Sequence, residues 1–252
     1  MYRRDFIKNT TLAGMALSVP IPLAEMGNQK MGIVVHSYAL RWNSKIQSAK
    51  YPGLKSALDL LDHATLVNAG GIQTMVNDWS TDFARQVRDK REKLGLYLEG
   101  SIGLPKTIDD VPKFEAQILN AKEAGAHILR SVTLGPRRYE TFKTMKAFME
   151  YKKQALFSLQ LAEPILKKHK IKLGVENHKD LRSDEMVTIL KTIDSEWIGV
   201  TLDFGNNIAI LEDPLAVAEN LAPYVFSTHI KDMAVDEYAH GFLLSEVPMG
   251  TG

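Results

Sequence analysis

The sequence contains no cysteine, which excludes disulfides, thiol nucleophiles and thiolate metal sites. Any metal ion must therefore be held by oxygen and nitrogen ligands. The sequence also lacks an excess of charge of either sign, because 31 basic residues stand against 30 acidic ones and the formal net charge is +1. A basic patch or stripe is typical of proteins that bind nucleic acid, so with balanced charge we expect no nucleic-acid partner.

A permanent membrane span is also missing from the N-terminal segment. Its mild apolar stretch at 10–23 is short and is interrupted by Pro20 and Pro22. This stretch follows Y-R-R-D-F-I-K at 2–8, which resembles the twin-arginine export signal. We expect residues 1–30 to be an export signal and linker, and the protein to be periplasmic or anchored on the outer side of the membrane. A disordered basic tail is the alternative.

From residue 31 to 252, strand-like and helix-like segments alternate with little filler. With 45% apolar composition, this length is enough for one substantial core. No G-x-G-x-x-G follows the first strand, so a dinucleotide-binding fold has no support. Strict alternation predicts an α/β protein, and the even spacing favours a (β/α)8 TIM barrel with about seven strands present. The predicted strands are 33–38, 72–76, 96–102, 127–134, 171–177, 197–203 and 224–230, and the predicted helices are 54–69, 83–93, 111–124, 141–169, 183–193 and 214–221.

The last eleven residues, 242–252, contain Pro248, Gly250 and Gly252, which predicts an irregular loop. An eighth strand would then lie beyond the end of the sequence. We therefore expect this chain to be a fragment or a truncated product. A natural seven-stranded barrel is the alternative, although it would leave strand edges unpaired.

Three segments end predicted strands with metal-ligand types: V-E-N-H-K-D at 175–180, T-L-D-F-G-N at 201–206 and S-T-H-I-K-D at 227–232. The ligand types are Glu176, Asp203 and His229, spaced by 27 and 26 residues. A parallel barrel brings the carboxyl ends of its strands together at one mouth. Two carboxylates and an imidazole that converge there suit a divalent cation.

These segments, together with the P-x-G-x-G loop at 248–252, resemble the xylose isomerase-like barrels. That group contains sugar and sugar-phosphate isomerases and epimerases and is related in fold to endonuclease IV. The resemblance implies that Glu176, Asp203 and His229 are three of four ligands of Mn²⁺, Mg²⁺, Co²⁺ or Zn²⁺. The fourth, a glutamate, is expected past Gly252 unless Glu246 substitutes for it.

The resemblance also implies an isomerase or epimerase that works through an enediolate intermediate, with Lewis-acid polarisation by the metal. Glu176 would be one acid/base group, and the glutamate beyond Gly252 would be the other. With half of this pair, the 252-residue chain is expected to show little or no epimerase activity.

Six further residues are candidates for the barrel mouth. His178 shares a strand face with Glu176 and is assigned a catalytic or supporting role, with a solvent-exposed loop histidine as the alternative. Lys231 shares the face of His229 and would neutralise an oxyanion. The candidates for substrate binding are His36, Trp42, Glu99 and Arg130.

Structural roles compete with these assignments. Arg130 is costly to bury alone and is expected to pair with Glu99 across neighbouring strands. Trp42, like Trp79, either lines a sugar site or packs the barrel rim. Asn206 and its neighbour Asn207 are expected to shape the turn after Asp203.

The expected partner is a small, unphosphorylated carbohydrate or related polyol, and export argues that it is neutral, because phosphorylated sugars are mainly cytoplasmic. A metal-dependent sugar lyase or dehydratase would use the same intermediate. A non-catalytic exported sugar-binding barrel is a further alternative. A nuclease like endonuclease IV is disfavoured, because Asn206 stands where that family has a histidine.

A mass measurement tests the expectation of truncation. We predict that the protein from its native source has a mass well above the 28.2 kDa of this chain and carries about one divalent metal ion. Intact mass spectrometry with elemental analysis measures both quantities. A mass at or below 28.2 kDa with no metal would favour a binding protein or an inactive remnant.

Overall fold

The computed structural model describes residues 31–42, 44–45 and 48–252, and the predicted export signal at 1–30 lies outside them. Residues 32–252 form one unit of the chain. None of the helices in the described part is both long and apolar enough to cross a membrane.

Seven parallel strands follow one another in chain order and form one sheet. Side chains of the second and third strands reach the seventh, because Gln73 bonds His229 and Glu99 bonds Ser227. The sheet therefore curls on itself, as the first seven strands of a TIM barrel do, and the predicted fold class is confirmed. The strands are β1 Ile33–Val34, β2 Gly71–Met75, β3 Tyr97–Ser101, β4 Ile128–Ser131, β5 Lys172–Glu176, β6 Ile198–Asp203 and β7 Val225–His229.

Helices lie between consecutive strands along most of the chain, and their ends follow local sequence signals. Ser80 caps one N-terminus by accepting a hydrogen bond from the backbone N–H of Phe83, and that helix ends at Gly95 with φ of 66°. Thr144 caps the longest helix, so the predicted helix 141–169 begins four residues later, at Met145, after a separate short helix that ends at Thr141. The helices are α1 Ala57–Leu66, α2 Thr81–Leu94, α3 Val111–Glu123, α4 Arg138–Thr141, α5 Met145–His169, α6 Ser183–Ile193 and α7 Pro214–Leu221.

The main core fills the space between the sheet and the surrounding helices. All six residues of β6 are buried, as expected of a parallel strand that is covered on both faces. Leu129 and Leu173 are fully buried in this layer. Gly174 lies so close to Thr201 on β6 that a Cβ atom would collide with its backbone, so glycine permits the close pairing of these strands.

The first predicted strand is shorter than the sequence indicated. Only Ile33 and Val34 pair with β2, and residues Val35–Tyr38 form a 3₁₀ helix. Pairing ends because the backbone turns to bond with itself, for example from the N–H of Arg41 to the carbonyl of Tyr38 at 2.8 Å. His36 therefore lies after the strand and not within it, which corrects the prediction.

The predicted irregular loop at 242–252 is also corrected. Residues up to Val247 form an antiparallel hairpin of β8 Asp232–Tyr238 and β9 Gly241–Val247. The two strands satisfy each other's backbone groups, and Gly241 adopts a φ of 141° directly after the turn. Beyond them, the carboxylate of Asp232 accepts the N–H of Gly250 at 2.7 Å, which anchors the glycine-rich end beside the hairpin.

Packing beneath the barrel mouth can be tested at Leu173, three residues before the end of β5. We expect Leu173→Ala to lower the free energy of unfolding by about 2–5 kcal/mol, because it leaves a cavity at a fully buried site. Leu66→Ala is the matched control, since Leu66 is 81% exposed and its loss is expected to cost less than about 0.5 kcal/mol. Urea unfolding measures both, and equal costs would contradict the packing described.

Candidate metal centre

The last residues of three neighbouring strands meet at the barrel mouth. Glu176 ends β5, Asp203 ends β6 and His229 ends β7. One ligand atom from each lies within 4.8 Å of the others. The Nδ1 atom of His229 is 3.4 Å from Glu176 Oε2 and 4.0 Å from Asp203 Oδ2. The structure thus brings together the three residues that the sequence singled out.

The imidazole of His229 is held by a hydrogen-bond chain from β2 and β3. Its Nε2 lies 2.9 Å from Gln73 Oε1, and Gln73 Nε2 donates to Glu99 at 2.9 Å. Ser227 donates to the same carboxylate at 2.8 Å. Because the amide nitrogen of Gln73 faces Glu99, its oxygen accepts from Nε2, and Nδ1 faces the carboxylates. A proton on Nδ1 is donated to Glu176, and without that proton Nδ1 is an acceptor that can bind a cation. Sequence analysis missed Gln73, whose signal is an amide in the middle of a strand that is buried at four of its five residues.

Arg130 pairs with Glu176 and not with Glu99, so the expected partner was wrong. Its guanidinium contacts Glu176 Oε2 at 2.5 Å, and Nη1 donates to Ser101 at 3.2 Å. Glu176 sits beyond the residue paired with Arg130, where a long side chain of β4 can reach it. Burial raises the pKa of Glu176, but the hydrogen bond from His229 and the charge of Arg130 outweigh it and hold the pKa well below its usual range.

Lys231 and Asn206 complete the contacts of the two carboxylates. Lys231 Nζ is 3.1 Å from Asp203 Oδ2 and 2.7 Å from Asn206 Oδ1. Asn206 Nδ2 donates to Glu176 Oε1 at 3.0 Å. Burial raises the pKa of Asp203, although the charge of Lys231 opposes the shift. Asn206 is thus part of the site and not only of the turn.

The turn-shaping role expected of both asparagines holds for Asn207. Its side chain bonds Asn177, the carbonyl of Leu181 and the carboxylate of Glu212. Asn177 also binds the backbone N–H and carbonyl of Asp203, at 2.7 and 2.8 Å. The asparagine after Glu176 therefore fixes the end of β6, a role that the sequence did not suggest.

Other predicted residues lie around this cluster. His178 Nδ1 is 3.1 Å from the carbonyl of Leu134, and the charge of His178 acts on both Glu176 and His36. Desolvation and the charge of Arg130 lower the pKa of His36, although the residue as a whole is exposed. Trp42 is half-buried and packs against the core, as Trp79 does. Their roles toward a substrate stay predictions.

Glu246 does not join the ligand group. It lies on β9 with its side chain 65% exposed, and its Oε1 is 3.4 Å from Lys231 Nζ. It therefore contributes to the mouth through Lys231.

The residues present fit a divalent cation. Two carboxylates and an unprotonated imidazole nitrogen are the donor set that such ions take, and all three face one point at the strand ends. The surrounding hydrogen bonds, from Gln73, Asn206 and the backbone N–H of Gly205, orient each donor. Arg130 and Lys231 supply positive charge to the same carboxylates.

Comparison with known proteins agrees with this arrangement. A profile of the family described as xylose isomerase-like TIM barrel matches residues 69–252. A relative from Pectobacterium atrosepticum, 3-oxo-isoapionate decarboxylase, is 28% identical over 233 residues, which cover 88% of this chain and 77% of the relative.

Two solved structures show the same fold. A xylose isomerase-like TIM barrel protein from Mycobacterium smegmatis in complex with magnesium has a TM-score of 0.65 and 15% identity, with 89% of this chain and 82% of that chain covered. A D-psicose 3-epimerase has a TM-score of 0.63 and 16% identity, with coverage of 79% and 72%.

The hydrogen bond that His229 donates to Gln73 can be tested through metal affinity. We expect Gln73→Leu to weaken Mn²⁺ binding by about 10- to 100-fold, because the imidazole loses the partner that sets its tautomer and orientation. Gln160→Leu is the control, since Gln160 is exposed on α5. Calorimetric titration measures both, and wild-type affinity in Gln73→Leu would contradict this role.

Proposed function

Because the chain belongs to the xylose isomerase-like TIM barrel family, we propose that it is a divalent-metal-dependent isomerase or epimerase of a sugar or related polyol. The observation that carries the proposal is the convergence of Glu176, Asp203 and His229, whose ligand atoms lie within 4.8 Å of one another. The similarity in fold to an epimerase is consistent with it.

In this proposal Glu176, Asp203 and His229 hold the cation. Bound there, the cation supplies Lewis-acid polarisation of a substrate carbonyl and its neighbouring oxygen. Glu176 Oε2 takes and returns the proton on the carbon next to that carbonyl. Its lowered pKa keeps the carboxylate ionised, which is the form that binds a cation and accepts a proton. The same lowering makes it a weaker base. Reaction at the other face needs a second acid/base group.

Positive side chains offset the charge that develops when this proton leaves. Lys231, already 3.1 Å from Asp203, is placed to face a developing oxyanion. Arg130 fixes the position of Glu176, and its charge disfavours protonation of that carboxylate. His178 approaches Glu176 from the next loop, where it would hydrogen-bond a substrate hydroxyl through Nε2.

A carbon–carbon lyase is the second candidate. The Pectobacterium atrosepticum relative is named as a decarboxylase, and its similarity spans 88% of this chain. Loss of carbon dioxide from a 3-oxo acid leaves the same kind of enolate that proton removal gives, so one polarising site serves both reactions. Export through the twin-arginine signal is a separate proposal, which depends on residues 2–8 alone.

Proton exchange tests the role of Glu176, because exchange at one face of the substrate needs only one acid/base group. We expect the metal-loaded protein to exchange the hydrogen next to the carbonyl of a ketose with D₂O. Glu176→Gln is expected to slow this exchange by about 10²- to 10⁴-fold, because the amide cannot accept the proton. Proton NMR of a panel of ketoses follows the exchange.

Glu150→Gln is the control, because Glu150 is an exposed carboxylate of α5 that pairs only with Lys153 in the described part of the chain. It is expected to exchange at the wild-type rate. Exchange that survives both Glu176→Gln and removal of metal by a chelator would refute the proposed function.

A further inference from the structure

A cleft of about 1060 Å³ opens beside the metal centre, between the segment that leads into α5 and the hairpin of β8 and β9. Five of the six charged residues that line it are basic, although the basic and acidic residues of the whole chain nearly balance. The charged residues that line it are Arg137, Arg138, Lys143, Lys179, Arg182 and Glu246.

The cleft adjoins the site of the proposed chemistry. Glu246 lines the cleft and lies 3.4 Å from Lys231, which in turn lies 3.1 Å from Asp203. Met233, two residues after Lys231, lines the cleft as well. A small molecule with one end near Asp203 can therefore extend its other end into the cleft.

Each of the three arginines of the cleft forms an ion pair with a glutamate. The positive charge that is not offset by an ion pair therefore belongs to the lysines of the lining. The pairs are Arg137 with Glu140 at 2.8 Å, Arg138 with Glu185 at 3.0 Å, and Arg182 with Glu212 at 3.9 Å.

Lys179 differs from the other basic residues of the cleft. It is half-buried, and among the described residues no carboxylate lies within ion-pairing distance of its ammonium group. Burial and the neighbouring charge of Lys231 lower its pKa, although the more distant charges of Glu246 and Asp203 oppose the shift. A cation that is partly removed from water without a carboxylate in direct contact is unfavourable, so an anion from solution would be stabilised there.

The backbone holds Lys179 in this place. Its φ is 66°, a left-handed conformation that is uncommon for residues other than glycine. Its carbonyl accepts the N–H of Arg138 at 3.1 Å, which ties the loop after β5 to α4. Strained positions of this kind persist where the surrounding structure fixes them, and they are frequent at ligand sites.

We propose that Lys179 and the cleft bind the anionic end of the substrate, so that the substrate is a sugar acid or a sugar phosphate and not a neutral sugar. The anionic end would lie against Lys179, while the polyhydroxylated end points toward Asp203 and Lys231. Only the placement of the second end rests on the proposed function. This departs from the neutral substrate that export led us to expect. The reason for that expectation, that phosphorylated sugars are mainly cytoplasmic, does not apply to a carboxylate.

Calorimetric titration of the metal-free protein tests this proposal apart from catalysis. The ligands are D-gluconate, D-glucose 6-phosphate and the neutral D-glucitol. We expect an anion to bind at least tenfold more tightly than D-glucitol, and the difference to shrink as salt is added. Lys179→Met is expected to weaken binding of the anion at least tenfold and to leave the affinity for D-glucitol unchanged. Lys179→Arg is expected to retain the preference for the anion.

Lys146→Met is the matched control, because Lys146 is exposed on α5 and does not line the cleft. It is expected to bind as the wild type does. Preference for D-gluconate assigns a carboxylate as the anionic group, and preference for the phosphate ester assigns a phosphate.

Equal binding of D-glucitol and both anions by the wild-type protein would overturn the proposal, even if Lys179→Met failed to fold. Equal losses in Lys179→Met and Lys146→Met would also overturn it, because they would report only the general surface charge. If an anion binds more tightly than D-glucitol but the protein binds no metal, the proposed function is refuted and the anion site is supported.

Discussion

Burial of the Glu176 carboxylate at the end of β5 is the constraint on which the barrel mouth depends. A buried charge of this kind is tolerated only when it is paired and hydrogen-bonded. Arg130, Asn206 and His229 reach it from three different segments, so its neutralisation requires β4, β6 and β7 to end at the same level. The requirement links local charge balance to the register of the sheet.

The hydrogen bonds around His229 extend this constraint across the barrel interior. Gln73 and Glu99 belong to β2 and β3, yet both bond side chains of β7. These polar contacts run between strands that are far apart in the sheet order, so curling of the sheet and orientation of the imidazole depend on each other. A site built this way is rigid, because each donor has its own supporting partner.

In our proposal, the loops and the hairpin decide which molecule binds to this fold. Solved structures with about 15% identity share the architecture, so the architecture alone names no substrate. The positive cleft uses the strained Lys179, the segment before α5 and the hairpin of β8 and β9. These parts lie outside the repeating strand–helix units, which leaves them free to differ while the metal centre is kept.

The sequence by itself determined the alternation of strands and helices and the three candidate ligand residues, because hydrophobic periodicity and strand-end spacing are local properties. It did not determine the early end of β1, the hairpin at 232–247 or the support that Gln73 gives to His229. It also paired Arg130 with the wrong carboxylate. Only the tertiary structure decided these, because they depend on where strand pairing stops and on which side chains meet across a curled sheet, and those contacts join residues up to 156 positions apart.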